Sequence, residues 1–454
     1  MKNAKNFEAT VPFDIKKLPI VGNFDVVVVG GGAAGVSAAT NLAELGHNTL
    51  LVERYGFCGG GAVAGMSGTI CGLFLSTDQI KNIPEQVVFG FAERFRYQLN
   101  ENGGLTQPQK YGKTWTVTHD PLVWRETADE FLRASGVHIL FHTRVVGVLT
   151  EDANVCGIIV DTKSGFGMIK SKIVVDASGD ADVVHRAGWP STKGRDGVMQ
   201  NPTMIFRVGG VDVKKFKGYW GEDTISPQHV VDEIISADES GKFYLPRKKI
   251  WIFPTTRQNE LLVNATRIMG IDGRDLDVTD PNDHTEAELN SRKQIRQYAG
   301  FLKDCIPGCQ DSYIVDSGVE VGIRQTRSIA GLSCLKNSDV MGRKKISDGV
   351  VRCPWPIELH SGEKPRVEWL LDDYYEIPLG ALIPKEGENI IVAGRCLSAE
   401  HEALASARVT AQCFGYGHAV AIACDLALNK GVNLRDIAGE EVRYHLNEQG
   451  AQLD

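Results

Sequence analysis

The 454-residue sequence lacks several features that would place it in other functional classes. No apolar run approaches the ~18 residues that a membrane-spanning helix needs, and the opening stretch MKNAKNFEATVPFDIKKLPIVGN has no apolar signal-peptide segment. There is no basic excess either, because the net charge is −8, which argues against a nucleic-acid partner. We therefore expect a cytoplasmic protein without a membrane span that binds no nucleic acid.

Paired cysteine motifs are also absent. The ten cysteines form no CxxC pair and no four-cysteine cluster motif, so we expect no iron–sulfur relay and no metal site. Cys305 and Cys309, the closest pair, flank Pro307-Gly308. We favour reduced thiols in a cytosolic protein at these two positions. The alternative is a disulfide or a zinc site.

The sequence does contain a dinucleotide-binding pattern near its start. The β-branched run Val26–Val29 predicts a buried parallel strand, and it leads directly into Gly30-x-Gly32-x-x-Gly35 and a helix of small residues. In such a turn Gly30 permits the sharp bend, Gly32 admits a pyrophosphate, and Gly35 lets the helix pack on the strand. The next apolar run ends at Glu53, where an acid would accept hydrogen bonds from ribose hydroxyls, which favours FAD or NAD over NADP.

Later glycine turns decide between NAD and FAD. Turns follow at 59–61, at 176–179 after an apolar strand, and at 394–395 before a long helix, and they are split around an inserted region. A simple NAD dehydrogenase would keep its nucleotide domain in one block, whereas extended FAD contacts several segments and benefits from a helix N-terminus near its ring. We therefore predict FAD.

The insert at 190–377 contains no second GxGxxG unit, and so no dedicated NAD domain. Electrons would then pass directly between a small-molecule substrate, the flavin and an outside acceptor. That acceptor could be oxygen, a quinone, a carrier protein or nicotinamide.

These motifs also resemble a known family. DVVVVGGGAAGVSAA…LLVER is similar to the glutathione-reductase type of FAD-binding fold. VVDASGDADV, GIRQTRSIAG, PIELH and IPLGALIP…NIIVAGRCLSAEHEALASARV resemble signatures of a bacterial branch of FAD-dependent oxidoreductases, with the thiazole synthases among its distant relatives. The resemblance extends over residues 20 to 430 and implies adenosine at Gly30–Glu53 and flavin at Gly394–Val409. It implies no single substrate.

The expected fold class is α/β, a glutathione-reductase-type Rossmann FAD-binding domain with an inserted α+β substrate domain. We expect an N-terminal arm at 1–23, an FAD-binding domain at 24–190 and 378–432, a substrate or cap domain at 191–377, and a C-terminal tail at 433–454. A homo-oligomer is left open. The residues expected to bind FAD are Gly30, Gly32, Ala33, Ala34, Gly35, Glu53, Arg54, Gly60, Gly61, Ala62, Val145, Val146, Ala177, Gly179, Gly394, Arg395 and Val409.

The family pattern also leads to four candidate catalytic residues: His401, Arg408, Arg324 and His360. A flavin oxidoreductase needs a base for the departing proton and positive charge near the flavin carbonyl edge. His401, between the 394–395 turn and the long helix, is the first choice for the base, and a loop histidine bonding to backbone is the equal alternative. Arg408 would stabilise negative charge from the first turns of that helix.

The remaining candidates each have a structural alternative. Arg324 and Arg327 would lie on one face if their segment is a helix, and they would point to opposite faces if it is a strand. They could hold a carboxylate together or form a structural ion pair. His360 is implied by the resemblance alone and could be an ordinary loop residue. Cys58 or Cys71 could be a redox thiol or a covalent flavin anchor, although isolated cysteines are usually small buried hydrophobes.

We therefore predict an FAD-dependent oxidoreductase that transfers a hydride between a small organic substrate and flavin N5. Two other classes stay open: a flavin subunit of a multi-protein electron-transfer complex, and a flavin-binding protein without catalysis.

Overall fold

The structure is a computed structural model that describes residues 18–79, 83–360 and 364–454. Its strands, in chain order, are β1 Ile20–Val29, β2 Thr49–Val52, β3 Gln109–Tyr111, β4 Thr114–Thr116, β5 His138–Leu140, β6 Arg144–Glu151, β7 Asn154–Thr162, β8 Gly165–Asp176, β9 Ser191–Lys193, β10 Phe206–Gly209, β11 Trp251–Pro254, β12 Glu260–Asn264, β13 Tyr313–Ser317, β14 Arg327–Ile329, β15 Gly349–Cys353, β16 Ile357–Leu359, β17 Arg366–Glu368, β18 Tyr375–Pro378 and β19 Ile390–Val392.

The α-helices lie between and after these strands along the chain. They are α1 Ala33–Glu44, α2 Gly60–Val63, α3 Phe91–Glu101, α4 Pro121–Ala134, α5 Asp182–Arg186, α6 Val213–Trp220, α7 Gln228–Glu239, α8 Pro281–Cys305, α9 Asn337–Met341, α10 His401–Ala407, α11 Thr410–Lys430 and α12 Gly439–Glu448. None of these helices is both long and apolar enough to cross a bilayer, as far as the described residues show.

The largest sheet has the order β5-β2-β1-β8-β7-β6, and β19 pairs with β8. β1, β2, β5, β8 and β19 run parallel, whereas β6 and β7 are antiparallel to their neighbours. Val29 and Val392 both pair with Asp176, so β1, β8 and β19 end side by side. The turns that begin at Gly30, Ala177 and Gly394 therefore meet at one edge of the sheet. The α/β expectation is confirmed.

Small residues let two helices pack closely over this sheet. A Cβ added to Gly417 in α11 would lie 2.1 Å from the Ala34 carbonyl oxygen in α1. The Ser37 hydroxyl donates to the Phe414 carbonyl oxygen across the same interface at 2.7 Å. This contact joins the first and last parts of the fold, and Gly431 ends α11 in the left-handed conformation, as its sequence predicts.

A second, antiparallel sheet of order β11-β12-β10-β13 has a separate core within residues 204–321. Val350, Trp355 and Ile377, by contrast, belong to the main core, although they lie inside the predicted cap region at 191–377. The C-terminal segment also packs there, since Val442 and Leu446 are buried against that core.

Two elements differ from their sequence predictions. Residues 84–99 are predicted from their sequence to form a helix, but α3 begins only at Phe91, because Leu75 donates its N–H to the Glu85 carbonyl oxygen and Val87 donates to the Leu73 carbonyl oxygen. The long helix expected after residue 404 is two helices, interrupted at Arg408 and Val409. The interruption creates a new helix N-terminus at Thr410.

Candidate active site

A cavity of about 330 Å³ lies at the edge where β1, β8 and β19 end. Most of the residues predicted to bind FAD line it: Gly30, Gly32, Ala33, Ala34, Glu53, Arg54, Gly60, Gly61, Ala62, Val145, Ala177, Gly179, Gly394, Arg395 and Val409. So do three of the four predicted catalytic residues, Arg324, His360 and Arg408. We call Gly30, Gly32, Glu53 and Gly60 the nucleotide region, and Tyr111, Arg324, Glu358, His360 and Arg408 the cationic region.

Glycine is required sterically in the nucleotide region. Gly30 has φ +103°, and a Cβ there would lie 2.5 Å from the Ala177 carbonyl oxygen. A Cβ on Gly60 would lie 2.9 Å from the Cα of Gly32, so the second glycine turn touches the first. Two strand-to-helix turns in backbone contact leave open space in front of the N-terminus of α1, as binding of a pyrophosphate requires.

Glu53 follows β2 directly and is a buried carboxylate in this region. Its two oxygens accept the N–H groups of Gly31 at 2.6 Å and Tyr55 at 2.9 Å, which fixes the carboxylate at the cavity wall. Burial raises the pKa of Glu53. Each oxygen keeps a further lone pair, so the group can still accept a hydrogen bond from a ribose hydroxyl.

An ion pair joins the other two turns. Arg395 donates to the Asp180 carboxylate at 2.8 Å, and the Thr326 hydroxyl donates to the same oxygen at 2.5 Å. Burial opposes ionisation of Asp180, but Arg395 and Thr326 outweigh it and lower its pKa. Asp180 lines the cavity and was not predicted from the sequence.

Three predicted residues do not line the cavity. Gly35 lies behind the turn, where a Cβ would be 1.8 Å from the Gly30 carbonyl oxygen, so it serves packing. Val146 is 42% exposed, because neighbouring residues of a strand point to opposite faces and Val145 takes the inner one. His401 begins α10, and burial lowers its pKa with a contribution from Arg195.

In the cationic region, a hydrogen-bonded group surrounds one carboxylate. The Tyr111 hydroxyl donates to Glu358 Oε1 at 2.7 Å, and His360 Nε2 lies 3.3 Å from the same oxygen. Glu358 and His360 are 6% and 9% exposed, and His360 Nδ1 has no partner within the described residues.

The protonation states of this pair follow from burial and charge. Burial and the nearby Arg324 hold the pKa of His360 well below its usual value, so the imidazole is neutral at pH 7. Burial would raise the pKa of Glu358, but the hydrogen bonds from His360 and Tyr111 and the charge of Arg408 lower it. A neutral ring that donates Nε2–H to Glu358 carries its free lone pair on Nδ1.

Arg324 and Arg408 reach the cavity from irregular segments. Arg324 precedes β14 and donates to the Asn201 carbonyl oxygen at 3.0 Å and to the Thr203 hydroxyl. Arg327 lies inside β14 and instead pairs with Asp182 at 3.1 Å, so the two arginines do not act together. Arg408 lies at the interruption between α10 and α11 rather than in the first turns of one helix, and it donates to Gln200 at 3.1 Å.

The cavity thiols are not activated. Cys71 and Cys413 line it, and burial raises the pKa of each to about 12. Burial likewise raises the pKa of Cys58 well above its usual value. Protonated thiols are poor nucleophiles, so the electrostatics disfavour a redox thiolate at these positions. The described residues contain no group of three or more His, Cys, Asp or Glu side chains placed to hold a metal ion.

Glu358 and Tyr111 were missed at the sequence level. A signal for Glu358 was present, because PIELH contains a short strand, β16, and residues two apart in a strand point to the same face. Glu358 should therefore have been considered together with His360. Tyr111 gave no comparable signal, since only the tertiary structure brings β3 to this place.

The residues present fit FAD. The backbone cradle at Gly30, Gly32 and Gly60 suits a pyrophosphate, and Glu53 suits a ribose. Val409 and Thr410, at the N-terminus of the 21-residue helix α11, line the same cavity, so the positive end of that helix dipole faces it. Such a dipole stabilises negative charge on a flavin ring.

Comparison with known proteins agrees with this assignment. A family model described as FAD dependent oxidoreductase matches residues 25–446. A thiamine thiazole synthase from Aeropyrum pernix is 30% identical over 173 residues, which cover 36% of this chain and 57% of the relative. A digeranylgeranylglycerophospholipid reductase from Methanococcoides burtonii is 23% identical over 284 residues, covering 62% of this chain and 63% of the relative.

The chain thus spans about three fifths of the length of these two curated relatives, both archaeal. Among solved structures, a p-nitrophenol 4-monooxygenase from Pseudomonas putida is similar over 95% of this chain and 88% of its own, with a TM-score of 0.50 and 11% identity. That likeness shows the fold only. The family match, which extends over most of the sequence, identifies the chain as a member of the FAD-dependent oxidoreductase family, an enzyme with an α/β Rossmann-like fold that uses FAD.

Proposed function

We propose that this enzyme transfers a hydride between a small organic substrate and N5 of FAD, with His360 as the acid–base residue. The observation that carries the proposal is the unpartnered Nδ1 of His360, a buried neutral imidazole at the cavity wall. FAD, when bound, supplies the two-electron acceptor or donor for the hydride. His360 Nδ1 takes the proton that the substrate releases in the oxidative direction and returns it in the reductive one.

Glu358 is a positioning residue in this scheme. It accepts from His360 and Tyr111, so it fixes the ring orientation and keeps the free lone pair on Nδ1. The walls contributed by Tyr111 and Trp355 are buried and exclude water from the imidazole. We propose His360 rather than His401 for this role, because His401 begins α10 and is not among the residues that line the cavity.

The proposal also covers the type of FAD-binding fold, the electron acceptor and the oligomeric state. We take the FAD-binding part to be of the glutathione-reductase type, and we leave the outside acceptor among oxygen, a quinone, a carrier protein and nicotinamide. Homo-oligomerisation is compatible with the fold.

An anaerobic screen tests the proposal. The FAD-loaded enzyme is mixed with metabolite fractions and, separately, with reduced nicotinamides, and the absorbance of oxidised flavin is followed. We expect one compound class to bleach the flavin rapidly and His360→Asn to slow that bleaching by about 10²–10⁴-fold while retaining FAD.

Failure of every compound to change the redox state of the flavin would contradict the proposal and favour a non-catalytic flavin protein or an electron-transfer subunit. An unchanged rate in His360→Asn would exclude this histidine as the acid–base residue.

A further inference from the structure

Buried positive charge in and around the cationic region exceeds the negative charge available to balance it. Arg324 and Arg247 are 8% and 2% exposed, and Arg408 lines the same cavity. The charges of Arg247 and Arg408 both act on Arg324, so the three guanidinium groups lie within electrostatic range of one another. Glu358 is the carboxylate that acts on all three.

None of the three guanidinium groups has an ionic partner in the described part of the chain. Arg247 donates to the Lys249 carbonyl oxygen at 3.0 Å and to Asn264 at 2.9 Å, and its plane lies over the Trp251 ring at 4.3 Å. Arg324 and Arg408 donate to carbonyl, hydroxyl and amide oxygens of residues 200–203. All these acceptors are neutral, so three cations share the field of one carboxylate.

Donor capacity is also left over. Nη2 of Arg247 and Nε of Arg408 are buried without a hydrogen-bond partner among the described residues. Burial lowers the pKa of Arg247 and Arg408 to about 10. The lowered pKa means that the charged guanidinium groups are destabilised by their removal from water. An arginine cannot give up its proton at neutral pH, so an incoming anion is the means of relief.

We propose that the substrate of this enzyme is an organic carboxylate whose charged group is held by Arg324. The inference rests on the proposed hydride-transfer function and specifies its substrate class. The three arginines carry three positive charges and Glu358 carries one negative charge, so the net charge of the group is +2. If the flavin carbonyl edge uses one of these charges, one remains, which matches a monoanionic carboxylate better than a phosphate dianion. Arg324 lines the cavity, and its hydrogen bonds to the described residues are made through Nη1, so Nε and Nη2 of its planar guanidinium can donate to both oxygens of a carboxylate.

The positions of Arg324 and His360 in one cavity also suggest how the substrate is oriented. Arg324 and His360 line the same cavity, and the charge of Arg324 acts on the imidazole, so a carboxylate on Arg324 would be within electrostatic range of His360. The carbon that exchanges hydride would then be near the carboxylate, and the proton leaving with that hydride would go to His360 Nδ1. The substrate thereby loses two electrons and two protons in total in the oxidative direction, the hydride going to FAD and the proton to the histidine.

Binding of matched probes to the FAD-loaded enzyme tests this inference. The probes are propanoate, lactate, propanamide, methyl propanoate and methyl phosphate, and the readout is the perturbation of the flavin absorbance on titration. We expect the two carboxylates to bind at least tenfold more tightly than the uncharged amide and ester. Arg324→Gln should weaken carboxylate binding at least tenfold and leave FAD content unchanged.

Two further variants keep the result interpretable. Arg324→Lys retains the charge without the planar fork and should fall between wild type and Arg324→Gln. Arg274→Gln is the matched control, because Arg274 forms surface ion pairs with Asp272, Asp283 and Glu286, and it should bind carboxylates as wild type does.

Equal affinity for propanoate and propanamide, or tighter binding of methyl phosphate than of either carboxylate, would overturn the inference. Carboxylate binding that depends on Arg324, together with a flavin that no compound reduces, would instead overturn the proposed hydride transfer and leave the anion site standing.

Discussion

The two regions of the cavity are built in opposite ways. The nucleotide region consists mainly of backbone from two glycine turns and one carboxylate, all within residues 30–61. The cationic region consists of side chains from four separate segments, and Tyr111, Arg324 and Arg408 are distant from one another in the sequence. Short-range pattern therefore specifies the glycine turns that suit the cofactor, whereas the residues proposed for the chemistry are assembled by long-range packing.

The two regions also differ in electrostatics. Burial raises the pKa of Glu53 in the nucleotide region, whereas burial and Arg324 lower the pKa of His360 in the cationic region. Burial disfavours the charged form in both regions, and because one group is an acid and the other a base, the two respond to pH with opposite sign.

The largest effect on FAD binding and stability is expected when a methyl group is added to a glycine beside the nucleotide region. Gly35→Ala places a Cβ 1.8 Å from the Gly30 carbonyl oxygen, so α1 must move away from the turn. We expect loss of bound FAD and a free energy of unfolding lower by about 3 kcal/mol, the upper end of the usual cost of overpacking. Flavin content after purification and urea unfolding measure the two effects.

Gly218→Ala is the control for that change, because a Cβ at this helical position would meet nothing within 4 Å. It should keep FAD and full stability. A stable, yellow Gly35→Ala protein would contradict the packing role of this glycine.

A smaller effect is expected from the positioning carboxylate of the cationic region. Glu358→Gln removes the charge that raises the pKa of His360. FAD should be retained, kcat should fall at least about tenfold because the ring loses its orientation, and the acid limb of the pH–rate profile should move to lower pH. A fall in kcat without movement of the acid limb would indicate a purely structural role for Glu358.

The opposite pH responses of His360 and Glu53 can be measured as changes in the free energy of unfolding with pH. The folded-state pKa of His360 is depressed, so the unfolded chain binds more protons as pH falls below the unfolded value of about 6.5, and stability decreases. From pH 6.5 to 5.5, wild type should lose about 1 kcal/mol more than His360→Asn. Urea unfolding of FAD-free protein at the two pH values gives the difference.

Glu53 should act in the other direction. Because its folded-state pKa is raised, the folded chain binds more protons as pH falls toward the unfolded value, and stability rises. Glu53→Gln removes this compensation, so its acid loss should be steeper than that of wild type. The same slope in all three proteins would mean that neither group differs between the folded and unfolded states.

The smallest effect is expected at His401. This histidine was the first choice for the base from its place in the sequence, but it begins α10 and does not line the cavity. We expect His401→Ala to change kcat less than about twofold. Steady-state kinetics beside His360→Asn measure the contrast, and a loss as large as that of His360→Asn would return the acid–base role to His401.

Much of the fold could be predicted because the signals are local. Asp120 followed by Pro121 predicts the start of α4, and the Asp120 carboxylate does accept the N–H groups of Leu122 and Val123. The β-branched run at Val26–Val29 gives the central strand. The interruption at Arg408 was not predictable in the same way, because small residues continue through it and only packing of α11 on α1 fixes where the second helix begins.

By itself, the sequence determined the glycine turns, the acid at Glu53 and hence the FAD-binding fold, because each depends on backbone geometry within a few residues. Only the tertiary structure decided which histidine reaches the cavity and which arginines lack a carboxylate partner. Those properties depend on burial and on charges brought together from segments far apart, as Tyr111, Arg324 and Glu358 are, and no local pattern encodes such distances.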